Sequence, residues 1–391
     1  MSRPYTSVEQ YRQHAKRRLP RLVFDYVDGG AEKESTLAHN RSAIEEVRLI
    51  PRCLVDVSDR QLKSTLFDDS IDIPVVVAPT GLNGIVWPNG DIALARAAAR
   101  ANVPFVLSTA SNATIEEVAE KAGGKLCFQL YIINRRIADD LVNRALQAGY
   151  KTLMLTVDVP VSGKRERDER NGFKVPFRLT PKTMFDVLCH PSWAWQMARH
   201  GAPQLRNIAS AQATDVNSQG ALLARQMDAS FSWDDLKRLR DRWPHRLLVK
   251  GVMNAEDARR IIDCGADGVI LSNHGGRQLD GACSPIEVLP DVAATINKPI
   301  LIDSGFRRGV DIVKALALGA SAVQLGRTTL YGLGARGEDG AFEVLSLIKT
   351  EIDRVLALIG CASISDLSAQ YVARNSAARA AKTDNRLPLS L

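Results

Sequence analysis

The sequence predicts an α/β fold, a (β/α)8 TIM barrel with an N-terminal helical segment and a long insertion after strand 4. Three observations carry that expectation. From residue 75 onward, eight short apolar strand patterns alternate with helical patterns, as a barrel of parallel strands requires. Every strand pattern runs into a polar or charged group. The turn after the first strand, P-T-G-L-N-G, lacks the glycine spacing with which a doubly wound sheet, the runner-up, binds a dinucleotide.

Residues 7–50 read as helical. Ser7 opens S-V-E-Q as a cap, and Leu19, Leu22, Val23 and Tyr26 form an apolar face. Gly29 and Gly30, in D-Y-V-D-G-G-A, break that helix, and Tyr26 just before them reads by itself as a core aromatic. The strand patterns are 75–79, 105–110, 126–132, 152–158, 247–252, 269–272, 300–303 and 322–326. Their Val, Ile and Leu runs suit strands buried on both faces. Helical patterns fall at 91–101, 114–122, 135–148, 234–243, 255–264, 285–296 and 311–318, with a last helix at 341–359.

One interval breaks the rhythm. Between Asp158 and Asp234 lie about 75 residues, far more than a barrel connection needs. The middle of it, 177–208, holds Phe177, Phe185, Trp193, Trp195 and Met197 among Arg178, Lys182, Arg199 and Arg206, against one acid, Asp186. Apolar anchors with cations suit an anionic bilayer surface, so this segment is expected to lie on a membrane. Pro181, Pro191 and Pro203 and the charges exclude a spanning helix. A substrate lid or subunit contact is the alternative. The chain is thus read as a single domain over 1–391: helical segment 1–70, barrel 71–360, inserted segment 177–208, and polar tail 362–391.

An apolar content of 45% and a charged content of 24% fit a globular protein with a full-sized core. The net charge of +7 suits anionic small molecules or an anionic membrane surface. Lys and Arg are dispersed and no nucleic-acid motif occurs, so no nucleic acid is expected. The six cysteines lack paired spacing and read as reduced core thiols of a cytosolic protein, with no metal site. The opening M-S-R-P-Y-T-S-V-E-Q lacks the apolar core of a signal peptide.

In a barrel, chemistry sits at the carboxyl ends of the strands. Those ends deliver Thr80–Gly81, Ser108, Gln129 with Tyr131, Thr156 with Asp158, Lys250, Ser272 with His274 and Arg277, Asp303 with Gly305 and Arg307, and Gly326–Arg327. In G-V-I-L-S-N-H-G-G-R-Q-L-D, His274 is a base that works near neutral pH, and Arg277 is a planar fork for a carboxylate. D-S-G-F-R-R-G and L-G-R place Arg307 and Arg327 beside glycines after strands seven and eight, the usual barrel phosphate position. Ser108, Gln129, Thr156 and Lys250 suit a flat heteroaromatic with many hydrogen-bonding edges. Lys250 itself needs an anionic partner, either that ring or a neighbouring carboxylate.

The segments D-Y-x-x-G-G-A, P-T-G, L-S-T-A-S, F-Q-L-Y, T-V-D, K-G-V, S-N-H-G-G-R-Q-L-D, D-S-G-F-R-R-G and L-G-R together resemble the FMN-dependent 2-hydroxy-acid oxidases and dehydrogenases. The resemblance spans about residues 5–360 in the same order, and S-N-H-G-G-R-Q-L-D is highly specific to that family. P-T-G-L-N-G, R-Q-M-D-A-S-F-S-W and the long insert look closest to its bacterial, mandelate-oxidising members.

That resemblance implies a set of roles. His274 is the catalytic base and Asp158 stabilises its imidazolium. Arg277 and Arg165 clamp the substrate carboxylate, while Tyr26 and Tyr131 bond the carboxylate and the hydroxyl. FMN is held by Pro79, Thr80, Gly81, Ser108, Gln129, Thr156, Lys250, Ser272, Asp303, Gly305, Arg307, Gly326 and Arg327, with Lys250 stabilising the reduced ring. Many relatives carry Ala where this chain has Gly81; Gly leaves room for a larger substrate and goes with dehydrogenases rather than oxidases. The implied reaction oxidises (S)-mandelate to phenylglyoxylate and passes electrons to a membrane quinone, in a homotetramer on the cytoplasmic face of the inner membrane. Whether His274 takes the α-proton or the hydroxyl proton, the base is the same. Alternatives are a quinone-linked L-lactate dehydrogenase and, in another class, a phosphate-binding isomerase or aldolase with Lys250 as a Schiff-base lysine.

Overall fold

The computed structural model describes residues 5–173, 180–201, 203–209 and 227–373. Eight parallel strands close into a barrel: β1 (Val75–Val77), β2 (Phe105–Ser108), β3 (Leu126–Leu130), β4 (Thr152–Thr156), β5 (Arg246–Val252), β6 (Gly268–Leu271), β7 (Ile300–Ile302) and β8 (Ala322–Leu325). Pairing of β8 with β1 completes the ring and rules out the open sheet. The ladders stop a residue or more short of most expected strand ends, because the chain there turns out of the sheet to form the rim.

The two-residue pleat sorts the side chains. Val76, Val106, Met154, Leu248, Ile270, Leu301 and Ala322 fill the barrel interior. Their neighbours, such as Val75, Leu107, Phe128 and Val269, join the larger core beneath the helices. Two residues further on, each strand turns its next inward position toward the rim: Ala78, Ser108, Gln129, Thr156, Lys250, Ser272, Asp303 and Gln324. All but Ala78 are polar. A short hairpin absent from the sequence reading, Ser64–Leu66 with Asp69–Ile71, adds Leu66 and Ile71 to the interior cluster and so plugs the opposite end.

The expected helical run at 7–50 is three helices, α1 (Val8–Arg18), α2 (Arg21–Asp28) and α3 (Ser35–Glu46). Ser7 caps α1 by accepting from the Gln10 N–H. After α2, the Ala31 N–H donates to Gly276 O at 2.8 Å, and a Cβ on Gly30 would lie 2.8 Å from that same oxygen. Glycine is therefore what lets the N-terminal segment dock on the β6 loop. The last helix runs over Arg327–Ile359, not from 341, and is interrupted at Arg336 and Gly337. The tail is packed as far as Ala373: Tyr371 is buried and its hydroxyl donates to Gly360 O at 3.2 Å.

Within the insert, helices Pro181–Leu188 and Pro191–His200 each begin on a proline, where no N–H is needed. Met184, Phe185, Leu188 and Trp195 are exposed, and Arg199 lies 5.3 Å from the Trp195 ring. Two expected membrane contacts are corrected. The Trp193 indole donates to Ile85 O at 2.7 Å, so it docks on the barrel. Arg206 is ion-paired with Glu117. Met197 is half-buried, while Phe177, Arg178 and the Lys182 side chain lie outside the described residues. No described helix is long and apolar enough to cross a membrane. The cysteines also depart from expectation: all are free, but Cys53, Cys189 and Cys283 are exposed and only Cys264 and Cys361 fully buried.

Candidate active site

A cavity of about 620 Å³ opens at the carboxyl ends of the strands. His274 leaves β6 in the left-handed region, φ +59°, and its N–H donates to Ser272 Oγ at 3.0 Å. This turn carries the imidazole over the barrel. Nδ1 lies 3.1 and 3.2 Å from the two Asp158 oxygens, and Nε2 lies 3.2 Å from the Tyr131 hydroxyl. The carboxylate fixes the tautomer with the proton on Nδ1, which leaves Nε2 free to take one. Burial holds the His274 imidazolium below its ordinary pKa, against the opposing pull of Asp158. Burial pushes the Asp158 carboxyl up, but His274 and Lys250 more than offset it, so it stays ionised. The Tyr131 hydroxyl is raised by burial and remains a donor.

Asp158 does not line the cavity; it stands behind His274 and is itself braced. Gln278 Nε2 donates to Asp158 O at 3.2 Å and Val161 O at 2.9 Å, and its Oε1 accepts the Gly163 N–H at 3.2 Å. Gln278 belongs to the S-N-H-G-G-R-Q-L-D signature, yet nothing in the spacing says that it pins a loop more than a hundred residues away. Gly251, at φ +103°, is required here because a Cβ would meet Asp158 Cβ at 2.6 Å.

Lys250 reaches Ser272 Oγ at 2.6 Å and forms an ion pair with Asp303 at 3.1 Å. Burial lowers its pKa, but Asp303 and Asp158 outweigh that and raise it, so the ammonium stays charged. The carboxylate partner is thus Asp303, and both side chains still face the cavity. Gln129 is held on both sides: it accepts from Ser108 Oγ and donates to Thr156 Oγ1, each at 3.0 Å. Ser108 and Thr156 line the cavity with Gln129 bracing them from behind, and Ser272 likewise braces Lys250 and the His274 N–H. At the β1 end Pro79, Thr80 and Gly81 form the wall, and Thr80 Oγ1 is buried with no hydrogen-bond partner among the described residues. Tyr26 donates to Gly81 O at 3.3 Å and stacks on Phe173 with 4.4 Å between ring centres.

Arg165, Arg277, Arg307 and Arg327 all face the cavity, and none forms an ion pair with any described residue. Burial, with Arg165 and Arg327 near, pushes Arg277 down to about 9, as for a buried cation lacking an anion. Arg277 Nη1 donates to Tyr26 O at 2.6 Å and Gly29 O at 3.0 Å. The Arg165 Nε is buried without a hydrogen-bond partner among the described residues. Among the described residues the Arg307 guanidinium makes one long hydrogen bond, 3.4 Å to the Tyr331 hydroxyl. Arg327 differs from expectation: it donates to Val27 O, Gly275 O and Gly29 O at 3.0, 2.9 and 2.7 Å, so much of its fork holds backbone rather than facing a ligand. Asp168, not singled out from the sequence, also lines the cavity; burial pushes its carboxyl up, against Arg277 and Arg165. Gly326 keeps the wall open, since a Cβ there would meet only Ala78 and Thr80 at 3.8 Å. Gly305, at φ +99°, passes so close to Asn40 that a Cβ would lie 2.9 Å from its carbonyl.

The donor set fits FMN: several guanidinium groups without a carboxylate partner among the described residues for a phosphate and a second anion, a hydroxyl likewise without a partner, a buried ammonium, and polar side chains across the floor. A barrel with this floor and a His–Asp pair at its rim defines a flavin-dependent oxidoreductase. The chain belongs to the FMN-dependent dehydrogenases, whose family model matches residues 15–374. It is 55% identical over 385 residues to the (S)-mandelate dehydrogenase of Pseudomonas putida, covering 98% of each chain. It is 41% identical over 364 residues to the L-lactate dehydrogenase of Pectobacterium atrosepticum, covering 92% of this chain and 94% of that one. The crystal structure of the monotopic membrane protein (S)-mandelate dehydrogenase superposes with a TM-score of 0.93 at 56% identity, over 95% of this chain and 100% of that one.

Proposed function

We propose that this FMN-dependent enzyme oxidises an aromatic (S)-2-hydroxy acid, (S)-mandelate, to phenylglyoxylate, and hands the electrons to a quinone in the membrane on which it sits. The observation that carries the reading is the cavity itself: a neutral, carboxylate-backed imidazole faces Arg165 and Arg277, which have no carboxylate partner among the described residues. FMN, when bound, supplies the two-electron acceptor. Arg165 and Arg277 bind the substrate carboxylate, and charge-assisted hydrogen bonds of this type contribute about 1.5–3 kcal/mol each. The Tyr26 and Tyr131 hydroxyls hold the carboxylate and the substrate hydroxyl. His274 Nε2 takes a proton from the substrate, and the resulting imidazolium is stabilised by Asp158. Losing two protons and two electrons converts the alcohol carbon to a ketone. Lys250 offsets the negative charge that reduction adds. Pro79, Thr80, Gly81, Ser108, Thr156, Asp303, Gly305, Arg307, Gly326 and Arg327 surround the cofactor, with Gln129 and Ser272 as supports.

The 55% identity to a mandelate dehydrogenase, against 41% to a lactate dehydrogenase, favours the aromatic acid. Anaerobic mixing with each acid tests this: (S)-mandelate should bleach the yellow protein much faster than L-lactate. Faster bleaching by L-lactate makes it a lactate dehydrogenase. Colourless protein overturns the flavin reading and returns Lys250 to consideration as a Schiff-base lysine.

The same reading treats 1–391 as one functional domain in which 177–208 is a peripheral membrane anchor, on the cytoplasmic face of the inner membrane and in a homotetramer. Support comes from the exposed Met184, Phe185, Leu188 and Trp195 and from the monotopic relative. Replacing 177–208 by a polar linker should leave a yellow protein that reduces an artificial dye but no longer sediments with membranes. Native protein found wholly in the soluble fraction would end the anchor assignment.

A further inference from the structure

Gln324 is a cavity residue that neither the strand-end pattern nor the family signature marks. It pairs in register with Val76, an interior residue, so its side chain points into the barrel, where it is 1% exposed and lines the cavity. Among the described residues its Nε2 has only the Met154 sulfur, at 3.7 Å, and sulfur is a weak acceptor. Its Oε1 is buried with no hydrogen-bond partner among the described residues. The other polar floor residues are satisfied: Ser108, Gln129 and Thr156 form one hydrogen-bonded row, and Lys250, Ser272 and Asp303 another. A buried amide left this way serves packing worse than an apolar side chain of the same shape would.

We infer that Gln324 hydrogen-bonds the isoalloxazine ring of bound FMN and tunes its reduction potential; the inference rests on FMN occupying this cavity. The ring edge presents both an N–H and carbonyl and imine acceptors. An amide carries both a donor and an acceptor and turns to match either, which a hydroxyl in a fixed row cannot do as freely. The position also suits it, because Thr80, whose Oγ1 is likewise without a partner among the described residues, stands on the adjoining wall with its methyl 3.8 Å from where a Cβ on Gly326 would lie.

Two substitutions in the holoenzyme test this. Gln324→Met keeps the volume and removes both hydrogen-bonding ends, so the FMN dissociation constant, read from recovered flavin fluorescence on dilution, should rise about 2- to 10-fold. Gln324→Glu places negative charge by the ring and should lower the flavin midpoint potential, since reduction adds negative charge there. Wild-type affinity in the Met variant together with a wild-type potential in the Glu variant overturns the inference. So does a loss of thermal stability in both with the potential unmoved, which marks a packing residue. If the wild-type protein itself carries no flavin, the reading of the cavity has failed, not the assignment of Gln324 alone.

Discussion

Replacing Asp158 by Asn tests the His–Asp pair without touching the cavity wall. Asp158 faces His274 Nδ1 with both oxygens, at 3.1 and 3.2 Å, and does not itself line the cavity. The amide can still accept from Nδ1–H, so the tautomer survives; what is lost is the charge that stabilises the imidazolium. A charge-assisted hydrogen bond contributes about 1.5–3 kcal/mol, so flavin reduction should slow by about 10- to 150-fold. The pH profile adds a second sign. Asp158 raises the His274 pKa against burial, so removing its charge lets that pKa fall further. The acid limb of kcat/KM should therefore move to lower pH while the plateau drops. Anaerobic stopped-flow bleaching across pH, with FMN content measured in parallel, reads all three quantities. A near-native reduction rate, or an acid limb that moves upward, refutes the assignment of Asp158 as the partner of a neutral base.

His274→Ala should retain FMN yet reduce it about 10²–10⁴-fold more slowly, measured by the same bleaching assay. In the unsubstituted protein the acid limb of kcat/KM should lie below 6.5, the ordinary imidazole value, because burial keeps His274 neutral to lower pH. Arg165→Met should raise KM for the hydroxy acid with FMN content unchanged, and Arg277→Lys should not restore binding because an ammonium lacks the bidentate fork; a wild-type KM in the Lys variant counts against that geometry. Gly81→Ala puts a methyl 2.9 Å from Ala110 Cβ, so the wall must shift, at about 1–3 kcal/mol of packing strain. Its turnover on mandelate relative to lactate should fall and its reoxidation by oxygen should change; constancy of both removes Gly81 from substrate selection.

Much of the site was legible because the fold makes it so: an apolar run ending in a polar residue marks a strand reaching the rim, and eight such ends converge. Legibility failed where a role depends on a distant partner. Tyr26 looks like a core aromatic until α2 is docked against Gly81, and only the fold shows that Arg327, while lining the cavity, also grips the carbonyls of Val27 and Gly29. Gln324 hides inside A-V-Q-L as an ordinary strand residue. The hairpin at Ser64–Ile71 has strands of three residues, too short for periodicity to register. The start of the last helix was missed because Gly332, Gly334, Gly337 and Gly340 resemble helix breakers. Gly332 and Gly340 are instead a close crossing, where a Cβ on Gly332 would lie 2.4 Å from Gly340 O. Trp193 and Trp195, two residues apart, could not be told apart by composition: one docks on the barrel and the other faces outward.

The docking of α2 also sets an order in time. Arg277 meets Tyr26 across 251 positions of sequence, and Arg327 meets Val27 across 300. During synthesis the first helices leave the ribosome long before their guanidinium partners exist. Tyr26 can reach Gly81 O and Phe173 early, but its backbone gains the Arg277 anchor only when the residues after β6 emerge, and Val27 beside it gains Arg327 only after β8. Long-range closure of this kind is slow, because loop entropy is lost before the contacts that reward it form. A nascent chain therefore passes most of its elongation with an unclosed barrel and an incomplete pocket wall. Both arginines of the carboxylate clamp are made before the barrel closes; the wall behind them is fixed only by Arg327, the residue that staples the two ends of the enzyme together.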